Sequence, residues 1–207
     1  MNRIFLLSPA QCGSERARWL LAKNARSQMA QRLRSAEGAP IGEVFTFLSA
    51  LYFRGKLAYA RAFARPCAEG RGVFVITPSA GLMPADARLS ISQLRGFSRV
   101  PIALKHRGYS YALRRGAKSL ALEIASDCNV VLLGSFASRK YLDILLPIFG
   151  DRLHVPTEFI GRGDMSRGGL MLRAVRENRE LDYIPAVSVA PKPAAKSRSA
   201  RFVPVAK

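Results

Sequence analysis

The residues of this chain best suited to chemistry are gathered near its end, between Val155 and Arg173. Gly161, Gly163, Gly168 and Gly169 alternate there with Arg162, Asp164, Ser166 and Arg167. Glycine allows close backbone approach, a helix N-terminus offers unpaired N–H groups, and arginine grips an oxyanion through paired hydrogen bonds. The stretch is therefore expected to be a loop closing over a phosphate or a base, ahead of a helix from Gly169 to Val175. Asp164 is the candidate general acid or base, because the flanking Arg162 and Arg167 would orient it and keep it ionised. The competing reading is a solvated surface turn in which Asp164 only neutralises those arginines, and the spacing matches neither the Walker A pattern nor the dinucleotide fingerprint. Glu158 and Asp86 are weaker alternatives of the same kind.

Such a loop needs a scaffold, and the chain supplies short apolar runs closed by small polar turns. Arg3 to Ser8, Gly72 to Thr77 and Asn129 to Gly134 read as buried strands, with a short fourth strand from Arg152 to Val155 and an edge strand from Leu181 to Pro185. Between them fall helical patterns. One runs from Ser14 towards Arg34 with an interruption at Asn24 to Ser27, and one runs from Val44 to Phe63 as one long helix or two broken near Gly55. A short helix is expected from Ser90 within an otherwise irregular stretch, one from Leu113 to Ile124, and one around Leu142 to Leu146. Strands alternating with helices predict an α/β fold: a single three-layer domain over residues 1–187, with a largely parallel sheet. Ligands of such sheets bind outside the carboxyl ends of the strands. On that template four polar turns converge on one rim: Ser8 to Ser14, Thr77 to Gly81, Gly134 to Ser138 and the Gly/Arg stretch. Ser135 and Ser138 could bind phosphate at a helix start or merely cap that helix. Cys12 could be an activated thiolate or a small buried residue.

At 207 residues the chain can form one sizeable core, and its 49% hydrophobic content is that of a globular domain. Its charge is not ordinary, with 33 Lys plus Arg against 14 Asp plus Glu and a formal net charge of +19. Such a field attracts polyanions, so DNA or RNA is the expected partner. The cations singled out for nucleic-acid contact are Arg54 and Lys56 beside Tyr52, Phe53 and Tyr59, then Lys105, Arg107, Arg114 and Arg115 around Tyr109 and Tyr111. Basic residues among aromatics can hold a backbone and stack bases, although aromatics at helical spacing also build cores. The cationic start of the Leu113 helix opposes its own dipole, which suits an external anion or a solvated face. From 188 to 207 the chain is a disordered, basic, Pro/Ala-rich tail offering Lys196, Arg198 and Arg201 to a polyanion. Cys12, Cys67 and Cys128 are isolated and only two histidines occur, so neither a zinc site nor a disulfide framework is expected. No membrane span is legible, no cofactor is named, and the expected compartment is a reducing cytoplasm.

With Tyr52 to Ala60 (YFRGKLAYA), Val75 to Pro78, Leu132 to Ser135 and Gly161 to Gly169 (GRGDMSRGG) in hand, the chain resembles an uncharacterised family of bacterial proteins that carries the same blocks. More distantly, the order of its blocks is similar to YaaA-like domains, to the catalytic domain of archaeosine synthase and to uracil-DNA glycosylase-like α/β domains. Those resemblances imply work on nucleic acid or modified bases. After its first strand the chain has Pro9-Ala-Gln-Cys-Gly13 in place of the synthase's Cys/Lys-Pro-Tyr-Ser-type motif, so that enzyme's amino-acid transfer does not carry over. The expectation is a nucleic-acid-associated protein acting on a nucleotide or base by modification or excision, as a transferase or a glycosylase-like hydrolase. The alternatives are a non-enzymatic DNA- or RNA-binding protein and, below it, a ribonucleoprotein component. Oligomeric state is not readable from these residues.

Overall fold

The computed structural model describes residues 2–66, 71–136 and 139–189. Strand β1 (Arg3–Leu7) forms where the sequence runs apolar without alternation, and its last four residues are buried. Helices α1 (Glu15–Leu21) and α2 (Gln28–Arg34) are separate, each started by a serine whose side chain accepts a backbone N–H three residues on: Ser14 from Ala17 and Ser27 from Ala30. The short strand β2 (Ala39–Pro40) leads into helix α3 (Ile41–Phe63). Strands β3 (Val73–Ile76), β4 (Leu82–Pro84) and β5 (Arg88–Leu89) follow, then helix α4 (Ile91–Ser98), which opens on a Ser90/Gln93 capping box. Helix α5 (Arg107–Glu123), strand β6 (Asn129–Leu133), helix α6 (Leu142–Phe149), strand β7 (Leu153–Pro156), helix α7 (Asp164–Arg176) and strand β8 (Tyr183–Pro185) complete the order.

The sheet runs β4-β3-β1-β6-β7-β8. Its inner four strands are parallel, and β4 and β8 close the edges antiparallel. β2 and β5 form a separate antiparallel pair. From β1 the chain crosses through α3 to β3 on one side, and from β3 through α5 to β6 on the other. The right-handedness of such crossovers places α3 and α5 on opposite faces of the sheet, giving the three-layer α/β domain. α3 packs against α7, and α5 against α6. On the α3 side, Phe5 meets the ring of Tyr59 edge-on at 5.7 Å between centroids. The reversal of direction makes a topological switch point between β1 and β6, whose registers align Leu7 with Leu133.

Several sequence expectations are corrected. α3 does not break near Gly55; it departs from helical geometry at Ala50, with φ 46° and ψ −118°. Gly55 instead lies against α7, where a Cβ would come within 2.7 Å of the Gly168 carbonyl oxygen. α7 begins at Asp164 rather than Gly169, so most of the Gly/Arg stretch is helix. α5 begins at Arg107, which puts Arg114 and Arg115 in mid-helix and leaves Arg107 as the cation of its first turn. Cys12 is a free, buried thiol, whereas Cys128 is disulfide-bonded, which overturns the expectation of isolated cysteines and removes its support for a reducing compartment. Among the described residues no helix is long and apolar enough to cross a membrane. The tail expected from 188 on falls outside the described residues beyond 189.

Candidate active-site cavity

At the carboxyl ends of β1 and β6 the chain opens a cavity of about 730 Å³. All four polar turns contribute to its lining: Ser8 and Cys12 from the first, Pro78 from the second, Ser135 from the third and Asp164 from the fourth. Ser49 and Tyr52 of α3, Lys140 and Tyr141 ahead of α6, and the segment 97–102, from the last residues of α4 onward, add to it. Convergence follows from topology, because parallel strands present their C-terminal turns on one edge.

The floor of the cavity is built around Ser8. Its backbone N–H continues the β1–β6 ladder to the Leu133 carbonyl at 3.0 Å. Gly134 stands beside it, and a Cβ there would meet the Ser8 Cβ at 2.8 Å. Only glycine at 134 therefore leaves room for the Ser8 side chain. Behind Ser8 lies Lys56, 1% exposed, whose Nζ donates to the Ser8 carbonyl oxygen at 2.6 Å and to its Oγ at 2.8 Å. The ammonium nitrogen is 4.4 Å from the ring centroid of Tyr52 and 4.8 Å from that of Phe53. Among the described residues no carboxylate forms an ion pair with it. Burial lowers the Lys56 pKa to about 7; the charge of Asp164 opposes the shift and that of Lys140 adds to it.

Two tyrosines share this environment. Burial pushes Tyr52 up to about 12, with Asp164 adding to the shift and Arg167 opposing it. Its hydroxyl is buried and makes no well-formed hydrogen bond among the described residues. Burial likewise raises Tyr141 well above its ordinary value, followed by Tyr109, Tyr52 and Asp164, while hydrogen bonding with the Ser8 side chain opposes the shift. Both hydroxyls thus stay protonated and able to donate at neutral pH. Cys12 is pushed up to about 12 by burial, so it is a thiol and not an activated thiolate.

The residues singled out from the Gly/Arg stretch divide. Asp164 reaches the cavity from the first turn of α7, its side chain 61% exposed and its Oδ1 3.6 Å from Arg167 Nη1. Arg167 is not a free anion grip: it is 6% exposed, donates to the Phe159 carbonyl oxygen from Nε at 3.2 Å and Nη2 at 2.9 Å, and lies over the rings of Phe136 and Phe159. Gly168 serves the α3–α7 contact, where its Cβ would meet the Tyr52 Cα at 3.0 Å. Gly161, Arg162, Gly163, Ser166 and Gly169 are exposed and do not line the cavity; Arg162 donates to Ser166 Oγ at 3.3 Å. Ser135 lines it, and Ser138 lies outside the described residues.

Of the nucleic-acid candidates, Lys56 is corrected outright, because a fully buried ammonium cannot reach a phosphate backbone. Arg54, Lys105, Arg107, Arg114 and Arg115 are exposed, and Arg115 lies 5.9 Å from the exposed Tyr111 ring. Lys196, Arg198 and Arg201 fall outside the described residues. Sequence reasoning missed Ser8, Tyr52, Lys140 and Tyr141 as side chains of the site. The available signal was position: Ser8 ends a buried strand, and Tyr52 and Lys56 are four residues apart on one helix face. Among the described residues no cluster of His, Cys, Asp and Glu could hold a metal. Comparison with protein-family models, with curated proteins and with solved structures found no match, so the site stands on its own residues.

Proposed function

We propose that this chain is a nucleic-acid-associated protein that binds a nucleotide or base in the cavity at the β1–β6 switch point and acts on it there. The observation that carries this reading is the convergence of four polar turns on one cavity lined by Lys140, Asp164, Ser8, Tyr52, Ser135 and Tyr141. Lys140 and Arg99 supply cations for a phosphate, Phe97 and Val100 supply apolar surface for a base, and Asp164 can accept from a base edge or exchange a proton with it. The net charge of +19 brings a polyanion to the molecule. The reaction class that fits is base modification or excision.

The test is mass spectrometry of small molecules released from protein purified in high salt after nuclease treatment. A retained nucleotide or modified base supports the reading. Loss of all bound material to nuclease and salt favours a second reading, a non-enzymatic nucleic-acid binder. That reading draws on the cations Arg54, Lys105, Arg107, Arg114 and Arg115, which are exposed and lie outside the cavity lining.

A further inference from the structure

Ser8 and Lys56 form a pair that nucleotide binding alone does not require. We propose that Ser8 is a catalytic nucleophile towards a carboxylic ester and that Lys56 is its general base. Three observations carry this. Ser8 lines the cavity, and Lys56, which does not, hydrogen-bonds to Ser8 from behind. The Nζ–Oγ distance of 2.8 Å is the hydrogen-bond reach that proton transfer needs. The ammonium donates both contacts; in the neutral amine the one to the Ser8 carbonyl oxygen at 2.6 Å keeps an N–H, which leaves the lone pair to accept from the Oγ–H.

The groups facing Lys56 set its protonation. Tyr52 and Phe53 come from its own helix as rings, Asp164 from α7 and Lys140 from the turn ahead of α6 act through their charges, and Ser8 accepts its hydrogen bonds. With burial dominating, a substantial fraction of the amine is neutral near pH 7. In the reaction the Oγ–H proton passes to Nζ as Oγ bonds to the ester carbonyl carbon. The carbonyl oxygen takes the negative charge, for which Tyr52 and Tyr141 of the cavity lining are the side chains that carry hydroxyl donors. The ester C–O bond then breaks, the leaving alkoxide takes the proton from Nζ, and acyl-Ser8 remains. Water, giving one proton to Nζ, hydrolyses the acyl group, and that proton returns to Oγ.

The proposal rests on the cavity admitting a ligand, as above, but not on that ligand being a nucleotide. The test treats the full chain with p-nitrophenyl acetate and, separately, with a fluorophosphonate, followed by peptide mapping. The expected result is reaction at Ser8 with both reagents, seen as lasting phosphonylation by the fluorophosphonate and as p-nitrophenolate release through a transient acetyl-Ser8, at a rate that rises with pH through about 7 and then levels. Ser8→Ala should abolish it, and Lys56→Met should slow it by about 100-fold or more with an unchanged circular dichroism spectrum. The wild-type pH profile stands even if either variant fails to fold. Acetylation confined to surface lysines, no fluorophosphonate on Ser8, or a labelling rate indifferent to Lys56→Met overturns the proposal. A chain that retains a nucleotide but leaves Ser8 unmodified overturns this proposal alone, and Ser8 modified in a chain that binds no nucleotide overturns the function proposed above alone.

Discussion

Burying an amine with no ion-paired carboxylate among the described residues makes folding depend on pH, and Lys56 sets the sign of that dependence. Its folded value, about 7, lies below the ordinary lysine value, so between them the unfolded chain binds the extra proton. Stability therefore rises as pH goes from about 7 towards 10, and at neutral pH the buried amine costs on the order of a few kcal/mol relative to a fully alkaline solution. Lys56→Met should remove this component, so the difference in denaturation midpoint between variant and wild type should narrow or reverse with rising pH. Asp164 supports the charged form of Lys56 from across the cavity, so Asp164→Asn should move the inflection in the wild-type profile to lower pH. An unmoved inflection would show that Lys56 does not sense the cavity. Composition could not reveal any of this. Lys56 sits beside Arg54 in a run that also offers an exposed cation, and only the packing of α3 decides which is buried: Lys56 meets Ser8 at the end of β1 while Arg54 is exposed.

At the scale of elements, the site depends on how closely α3 approaches α7. Gly55 and Gly168 face each other there, and a Cβ on either would press on the opposite backbone. Gly55→Ala gains helix propensity of about 1 kcal/mol but overpacks the crossing, for an expected net loss of about 1–2 kcal/mol in chemical denaturation. The same change at Gly169, where a Cβ meets nothing, should be neutral or stabilising. Ala50 carries the strain of the α3 kink at φ 46°, and Ala50→Gly should stabilise by about 1 kcal/mol. The buried strands were legible because apolar runs between turn residues have few alternatives, and the convergence of their turns followed from parallel topology. The start of α7 was not. Gly163 gives it no side-chain cap and three glycines sit in or beside its first turns, so the local signal is that of a loop and packing against α3 decides otherwise. The edge strand β4 escaped for a similar reason, being three half-buried residues ending at Pro84.

For the whole molecule, charge and cavity are separate devices. The formal +19 is spread over exposed helix faces and the segment beyond 189, which carries five cations and no acid. The logarithm of the affinity for DNA or RNA should fall linearly with the logarithm of salt concentration. Truncation after Val189 should reduce that slope by no more than about 4–5, the value if every tail cation meets a phosphate, without altering ligand binding in the cavity. A truncation that abolishes both would mean that the tail contributes to the cavity. The measurement that bears most directly on the central claim is amide chemical-shift mapping of the isotope-labelled chain during titration with nucleoside monophosphates. Shifts concentrated at Ser8, Tyr52, Ser135, Tyr141 and Asp164, saturating together, are the expected result. Shifts confined to Lys105, Arg107, Arg114 and Arg115, with the cavity residues silent, would contradict it.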